Sequence, residues 1–144
     1  MTTRRKNIKR RRQLNKAKHF SYPSEKKTTS YMQDKPAFSF EFLQSGHCIT
    51  LCDERDRLSF IDNMRILSQM TWQQIRNAPR HGLGSEKINR DSFKVKIPNW
   101  VTDDITFIAI RFSGLKPMVG YQSGRIFQVV WFDRDFDVYD HGND

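Results

Sequence analysis

Arg111, Lys116, Arg125, Arg134 and Tyr139 fall close together in the last third of this chain, and their types suit one chemistry in particular. Cleaving RNA without a metal needs a base to take the 2′-hydroxyl proton, a cation to stabilise the phosphorane charge and an acid to protonate the leaving oxygen. Arginine supplies the second; a tyrosine or a histidine helps with the others, and His81 and His141 are the loop or terminal candidates for proton transfer. The competing reading is structural, with Arg111 and Arg125 paired across strands to Asp133 or Asp135. The acids Asp133, Asp135, Asp137 and Asp140 suggest a hard cation, yet they lack the glycine and terminal glutamate of an EF-hand loop. They read better as solvated edge charges that discourage aggregation, and no metal or other cofactor is expected.

A second kind of chemistry lies at the other end. Arg4, Arg5, Lys6, Lys9, Arg10, Arg11, Arg12, Lys16 and Lys18 follow one another almost without interruption. Residues 1–30 hold eleven of the 25 Lys and Arg and one acid, Glu25, so they carry +10, whereas residues 31–144 carry −1. Unpaired cations at this density release condensed counterions when they meet phosphates, and arginine-rich segments fold on RNA. The arm therefore reads as a nucleic-acid-binding element, RNA more than DNA; the alternative is a solubilising tail. Phe20 and Tyr22 allow base stacking without requiring it.

Other residue types are weaker signals. Cys48 and Cys52 with His47 raise zinc, but a structural site needs four ligands of recognisable spacing. In an extended strand the two thiols would stand roughly 13 Å apart, too far for a disulfide. Trp72, Trp100 and Trp131 could stack bases, but each lies in an amphipathic context that predicts core packing. The chain has no secretory h-region in its opening segment and no apolar run of membrane-spanning length. It also lacks a lipidation signal to anchor the arm, so the expected location is the cytoplasm, with no membrane partner.

The elements that must position these groups can be read in outline. Residues 1–34 lack hydrophobic periodicity and predict a disordered polybasic arm; residues 35–144 predict a compact α+β domain. Phe38, Phe40 and Phe42 alternate with Ser39 and Glu41, predicting a strand over 37–43, with Ser45 and Gly46 turning it into a returning strand at 47–51. Asp53 predicts the cap of a helix running to about Gln69, with Phe60, Ile61, Met64 and Leu67 on its apolar stripe. Thr71 and Gln74 form a capping box, with Met70 and Ile75 as staple, predicting a short helix from Trp72 to about Asn77. Pro79 ends it, and residues 80–85 read as a loop. Strands then follow at 105–112, 118–122 and 125–132, with turns at Ser113–Gly114 and Ser123–Gly124, and 136–139 closing the sheet. Strands and helices that do not alternate predict an antiparallel sheet with two helices.

The stretch from Arg111 to Tyr139, RFSGLKPMVGYQSGRIFQVVWFDRDFDVY, resembles the C-terminal strands of the RelE/ParE toxin superfamily. The shared features are a strand ending in an Arg, Ser and Gly turn, a strand with a basic residue near its start, an apolar strand, and an Arg-containing turn before a terminal Val-Tyr. The resemblance implies a compact α+β fold, an antitoxin partner and ribosome-dependent cleavage of messenger RNA. Carried across, it makes Arg111, Lys116, Arg134 and Tyr139 the catalytic positions. The alternative function is a non-enzymatic nucleic-acid- or ribosome-binding module. Convergence of the four residues in one concave patch favours the enzyme, and dispersal favours the module.

Overall fold

The computed structural model describes residues 28–79 and 82–142. Residues 80 and 81, and the arm's cations from Arg4 to Lys18, lie outside the described residues, as does His81. The described residues form an α+β fold of two helices and a five-stranded sheet in the order β1-β5-β4-β3-β2. The strands are β1 (Ala37–Ser39), β2 (Ser85–Ile88), β3 (Phe107–Ser113), β4 (Lys116–Ser123) and β5 (Ile126–Phe132). All neighbours pair antiparallel except β1, which runs parallel to β5 with Ala37 opposite Ile126. No helix among the described residues is long and apolar enough to cross a membrane.

The middle strands are apolar on both sides because both sheet faces are covered. Ile108, Ile110, Phe112, Met118, Phe127 and Phe132 pack under the helices. Phe107, Val119, Val130 and Trp131 pack on the other face beneath an irregular segment that brings Phe93, Val95, Ile97 and Val101 onto the sheet. Arg90 fastens that segment by donating to the carbonyl oxygens of Thr102 and Ile105, with its guanidinium over the Phe107 ring. Each fully buried large side chain contributes about 2 kcal/mol by leaving water. At the β4–β5 bulge, a Cβ on Gly120 would lie 1.9 Å from the Gln128 carbonyl oxygen, so only glycine allows the strands to approach there.

Helix α1 (Glu54–Leu67) is capped by Asp53, whose side chain accepts the Asp56 amide at 2.8 Å. Glu54 and Asp56 in its first turn and Arg65 in its last suit the helix dipole. Phe60, Met64 and Leu67 face the sheet, and Asn63 donates to the Phe112 carbonyl at 2.7 Å. Ile61 departs from the expected stripe: it is 63% exposed, because Phe60 rather than its neighbour takes the position over Phe112 and Phe132. Helix α2 (Trp72–Asn77) begins as the capping box predicts. Trp72 is buried and donates its indole N–H to the Arg125 carbonyl at 2.8 Å, which satisfies the polar end of a large apolar ring.

Four expectations are corrected. The hairpin at 37–51 does not form: β1 is three residues long, and Ser45–His47 and Ile49–Leu51 are 3-10 turns. Its aromatic residues are held by packing instead, with Phe40 against Phe60 and Phe132. Ser85–Ile88, read as loop end and unassigned chain, is a strand because it pairs with β3 along the sheet edge. Residues 136–139 contribute only one bridge, Phe93 to Tyr139. Thr28–Gln33, read as part of the arm, forms a 3-10 turn with Tyr31 buried.

Because Thr71 accepts the Gln74 amide and Gln74 accepts the Thr71 amide, Thr71→Ala should cost about 1 kcal/mol. That corresponds to a fall in Tm of about 4 °C. Unchanged melting would mean that burial of Trp72 and Ile75 alone holds the helix.

Candidate active site

The polar end of the sheet lies where β3 stops, β4 starts and β5 stops, and it is organised by Asp133. This carboxylate has no exposed surface. Its Oδ1 accepts the amides of Asp137 at 2.8 Å and Val138 at 3.2 Å, and its Oδ2 lies 2.8 Å from His141 Nε2. Its own amide donates to the Pro117 carbonyl. The turn that Asp133 caps puts Phe136 at a φ of 57°, a left-handed conformation costing a non-glycine residue about 1 kcal/mol.

That turn delivers Tyr139 and His141 to the edge of the second core. The Val138 carbonyl accepts the Lys94 amide, and the Asp140 amide donates to Ser92, so the tail is stitched to the segment covering the sheet. The His141 ring lies 3.8 Å from the Tyr139 ring and 5.2 Å from Phe136, which meets it edge-on. Its Nε2 bound to a buried carboxylate and its ring held by two aromatics, the imidazole has a defined orientation. Nδ1 is the nitrogen left for chemistry.

Arg111, Tyr139 and His141 line one small cleft with Glu86, Ala109 and Pro117. Arg111 is partly exposed, and among the described residues its guanidinium has no ion-pair or hydrogen-bond partner. The cross-strand pairing to Asp133 or Asp135 therefore does not occur. The cleft measures about 60 Å3, well below the roughly 300–1,000 Å3 of a pocket that encloses a whole ligand. It can admit one small group of a larger molecule lying across it.

The other expected residues stand elsewhere. Lys116 reaches the helix side of the sheet, where its Nζ is 2.6 Å from Asp56 Oδ2, and Ser113 donates to Asp56 Oδ1 at 2.7 Å. Arg134 lies 3.4 Å from Asp135 and donates to the Gly46 carbonyl. Arg125 donates to the Lys35 carbonyl at the far end of β5. Two of the four catalytic positions thus share a cleft and two do not. The sequence names His141 as a proton-transfer candidate but carries no sign of its partner, since Asp133 reads there as one of four edge carboxylates. The remaining acids are solvent-side: Asp137 faces His47 at 3.4 Å and Asp140 accepts the Gly142 amide. Cys48 and Cys52 are free thiols that flank the 3-10 turn Ile49–Leu51 rather than sitting in a strand, and burial followed by the nearby Asp56 charge pushes the Cys52 thiol up. Trp72 and Trp131 are core residues; Trp100 is 42% exposed.

Asp56 is the electrostatic tie between helix and sheet. Burial pushes its carboxyl up, but hydrogen bonds from Lys116 and Ser113 and the lysine charge outweigh that and hold it below the usual carboxylate range. Lys116 is raised in turn, chiefly by its bond to Asp56. A carboxyl depressed on folding contributes stability above its unfolded pKa of about 4 and loses it as pH falls through the folded value. Asp56→Asn should therefore destabilise by about 2 kcal/mol at neutral pH, with the gap to the parent closing below about pH 4. Urea midpoints across pH check this; a constant gap down to pH 2 would remove the ion pair as the cause.

No protein-family model matches this chain, and no curated protein or solved structure is significantly similar to it.

Proposed function

We propose that this protein binds RNA through its basic N-terminal segment and cleaves it, without a metal, at the cleft of Arg111, Tyr139 and His141. The observation that carries the proposal is an arginine that has no partner among the described residues, lining one cleft with an imidazole held by a buried carboxylate. In the reaction, His141 Nδ1 takes the 2′-hydroxyl proton and the 2′-oxygen attacks the adjacent phosphorus. Arg111 stabilises the charge on the phosphorane oxygens. The bond to the 5′-oxygen breaks and that oxygen is protonated, with Tyr139, whose ring lies against the imidazole, as the donor. The products are a 2′,3′-cyclic phosphate and a 5′-hydroxyl. Lys116 and Arg134 act here as structural cations. The likeness of residues 111–139 to RelE/ParE toxins extends the proposal to messenger RNA on the ribosome, and to a toxin restrained by an antitoxin partner.

One observation favours the non-enzymatic module. Lys116 is paired with Asp56, Arg134 lies beside Asp135, and Glu86 stands on the rim of the cleft, so the site is less cationic than four free residues would make it.

Arg111→Ala should lower cleavage at least a hundredfold, and His141→Gln by a comparable factor, both in the presence of EDTA and with Tm nearly unchanged for Arg111→Ala. Cleavage of ribosome-bound messenger RNA and melting, measured on the same preparations, decide the matter. Full activity in a folded Arg111→Ala protein would leave the module.

Removing residues 1–27 should abolish most RNA affinity. Binding by the intact chain should fall about a thousandfold between 50 and 200 mM salt if six of the arm's cations meet phosphates. RNA retention that survives the deletion would show that the arm is only a solubilising segment.

A further inference from the structure

The protein has a wider cleft than the one at Arg111. It lies at the opposite end of the sheet, where β3 begins and β4 gives way to the Ser123–Gly124 turn, and it measures about 570 Å3. That volume falls in the range of pockets that enclose a small ligand. Arg76 of α2, Tyr121 of β4, and Tyr31 and Met32 from the turn preceding β1 are among its walls.

We propose that this cleft holds one nucleotide unit of bound single-stranded RNA, with a phosphate on Arg76 and its base against Tyr121. The inference rests on the RNA-binding reading above and assigns that RNA a second contact within the folded part of the chain.

Arg76 is positioned for the purpose. The Gln122 side chain donates to the Gly124 carbonyl at 2.9 Å and accepts from Arg76 Nη2 at 3.1 Å, so the hairpin turn fixes the amide and the amide fixes the guanidinium. Among the described residues Arg76 forms no ion pair. Arg76 is exposed as a residue, yet the protein around its guanidinium draws its pKa below the ordinary value through desolvation. A partly desolvated cation without a counter-charge gains more from an incoming phosphate than a fully hydrated one does, and a guanidinium binds phosphate through paired N–H groups. One carboxylate, Asp104, also lines the cleft; the Thr102 hydroxyl holds it and the charge of Arg90 offsets it.

Aromatic surface reaches the same cleft from the other face of β4. The Tyr121 ring is partly exposed, and Trp100, 42% exposed, lies 6.1 Å from it. Adjacent half-exposed rings on the wall of a cleft that also holds a cation offer a surface on which an unpaired base can stack.

The basic segment is tethered to this cleft by the chain itself. Lys26 and Lys27 precede the lining residue Tyr31 by five and four positions, so neither can lie more than about 18 Å from it along the backbone. RNA gripped by the arm is thereby held at high local concentration over Arg76. From Gln122 to Pro117, β4 spans about 17 Å, the distance from this cleft to the one at Arg111.

The test is binding of a fluorescent ten-nucleotide uridine RNA to the full-length chain across a salt series, with melting curves for every variant. Arg76→Gln should weaken binding about tenfold and lower the salt slope by about one. Arg76→Lys should restore the slope but only part of the affinity, since it keeps the charge without the fork. Tyr121→Leu, which keeps apolar bulk in the core, should weaken binding about tenfold with the slope unchanged. Photocrosslinking of a 4-thiouridine version to the parent chain should mark the peptide containing Tyr121, whether or not a variant folds. If the parent binds RNA but the variants match it and the crosslink falls elsewhere, this cleft is overturned while the arm and the Arg111 site stand. If the parent does not retain RNA at all, this inference and the reading beneath it fall together.

Discussion

Asp133 is a carboxylate with no exposed surface, and a charge in that position persists only if its lone pairs are engaged. Two backbone amides and an imidazole engage them. The cost of leaving any of these unmade is what forces residues 134–141 into a tight reversal, including the left-handed Phe136. Without that reversal Tyr139 would not meet Phe93, the tail would not bond Ser92 and Lys94, and the face bearing Trp131 and Phe107 would lose part of its cover. The second core and the histidine's orientation therefore have a common origin. A substitution at Asp133 would alter both, which is why this residue cannot report on chemistry by itself.

The separation of Arg111 from Lys116 follows from the geometry of strands. Successive side chains point to opposite faces, so Arg111 continues the face of Phe107 and Ala109, and Pro117 lies opposite it in the register. Lys116 falls on the other side. The irregularity between Arg111 and Ser113 turns Ser113 towards Asp56 as well, so serine and lysine together anchor the first turn of α1. A cation near the start of β4 is in this chain a packing device, and motif matching by position cannot see which face it serves.

What could be read in the sequence was whatever depended on near neighbours. Thr71 and Gln74 are three residues apart and carry their helix start with them; Asp53 does the same for α1. The strands β3 and β5 were legible because burial on both faces leaves almost no polar residue in them. The failures are equally physical. Phe38, Phe40 and Phe42 alternate as a strand does, but Phe40 is held by Phe60 and Phe132 from distant parts of the chain, so alternation did not lengthen β1. Ser85–Ile88 has little strand character and is made one by the edge of β3. The Asp133–His141 pair is close in sequence, yet it exists only because of the turn between its members.

The small size of the cleft at Arg111 bears on how a catalyst of this kind would work. A site of about 60 Å3 touches little more than the reacting phosphate, and contacts that few supply little binding energy. Whatever held an RNA there would have to act from a distance, and binding energy gained at remote contacts can be used to fix the reacting group where the transition state needs it. A basic segment alone would concentrate RNA near the protein without orienting it. A rigid contact at the far end of β4 would do what the arm cannot: set the strand's register along a sheet whose two ends are fixed relative to one another by the backbone bonds of β3, β4 and β5. In the proposed mechanism the arm governs capture, the distal cleft governs alignment, and the pairing of Asp133 with His141 governs the chemical step.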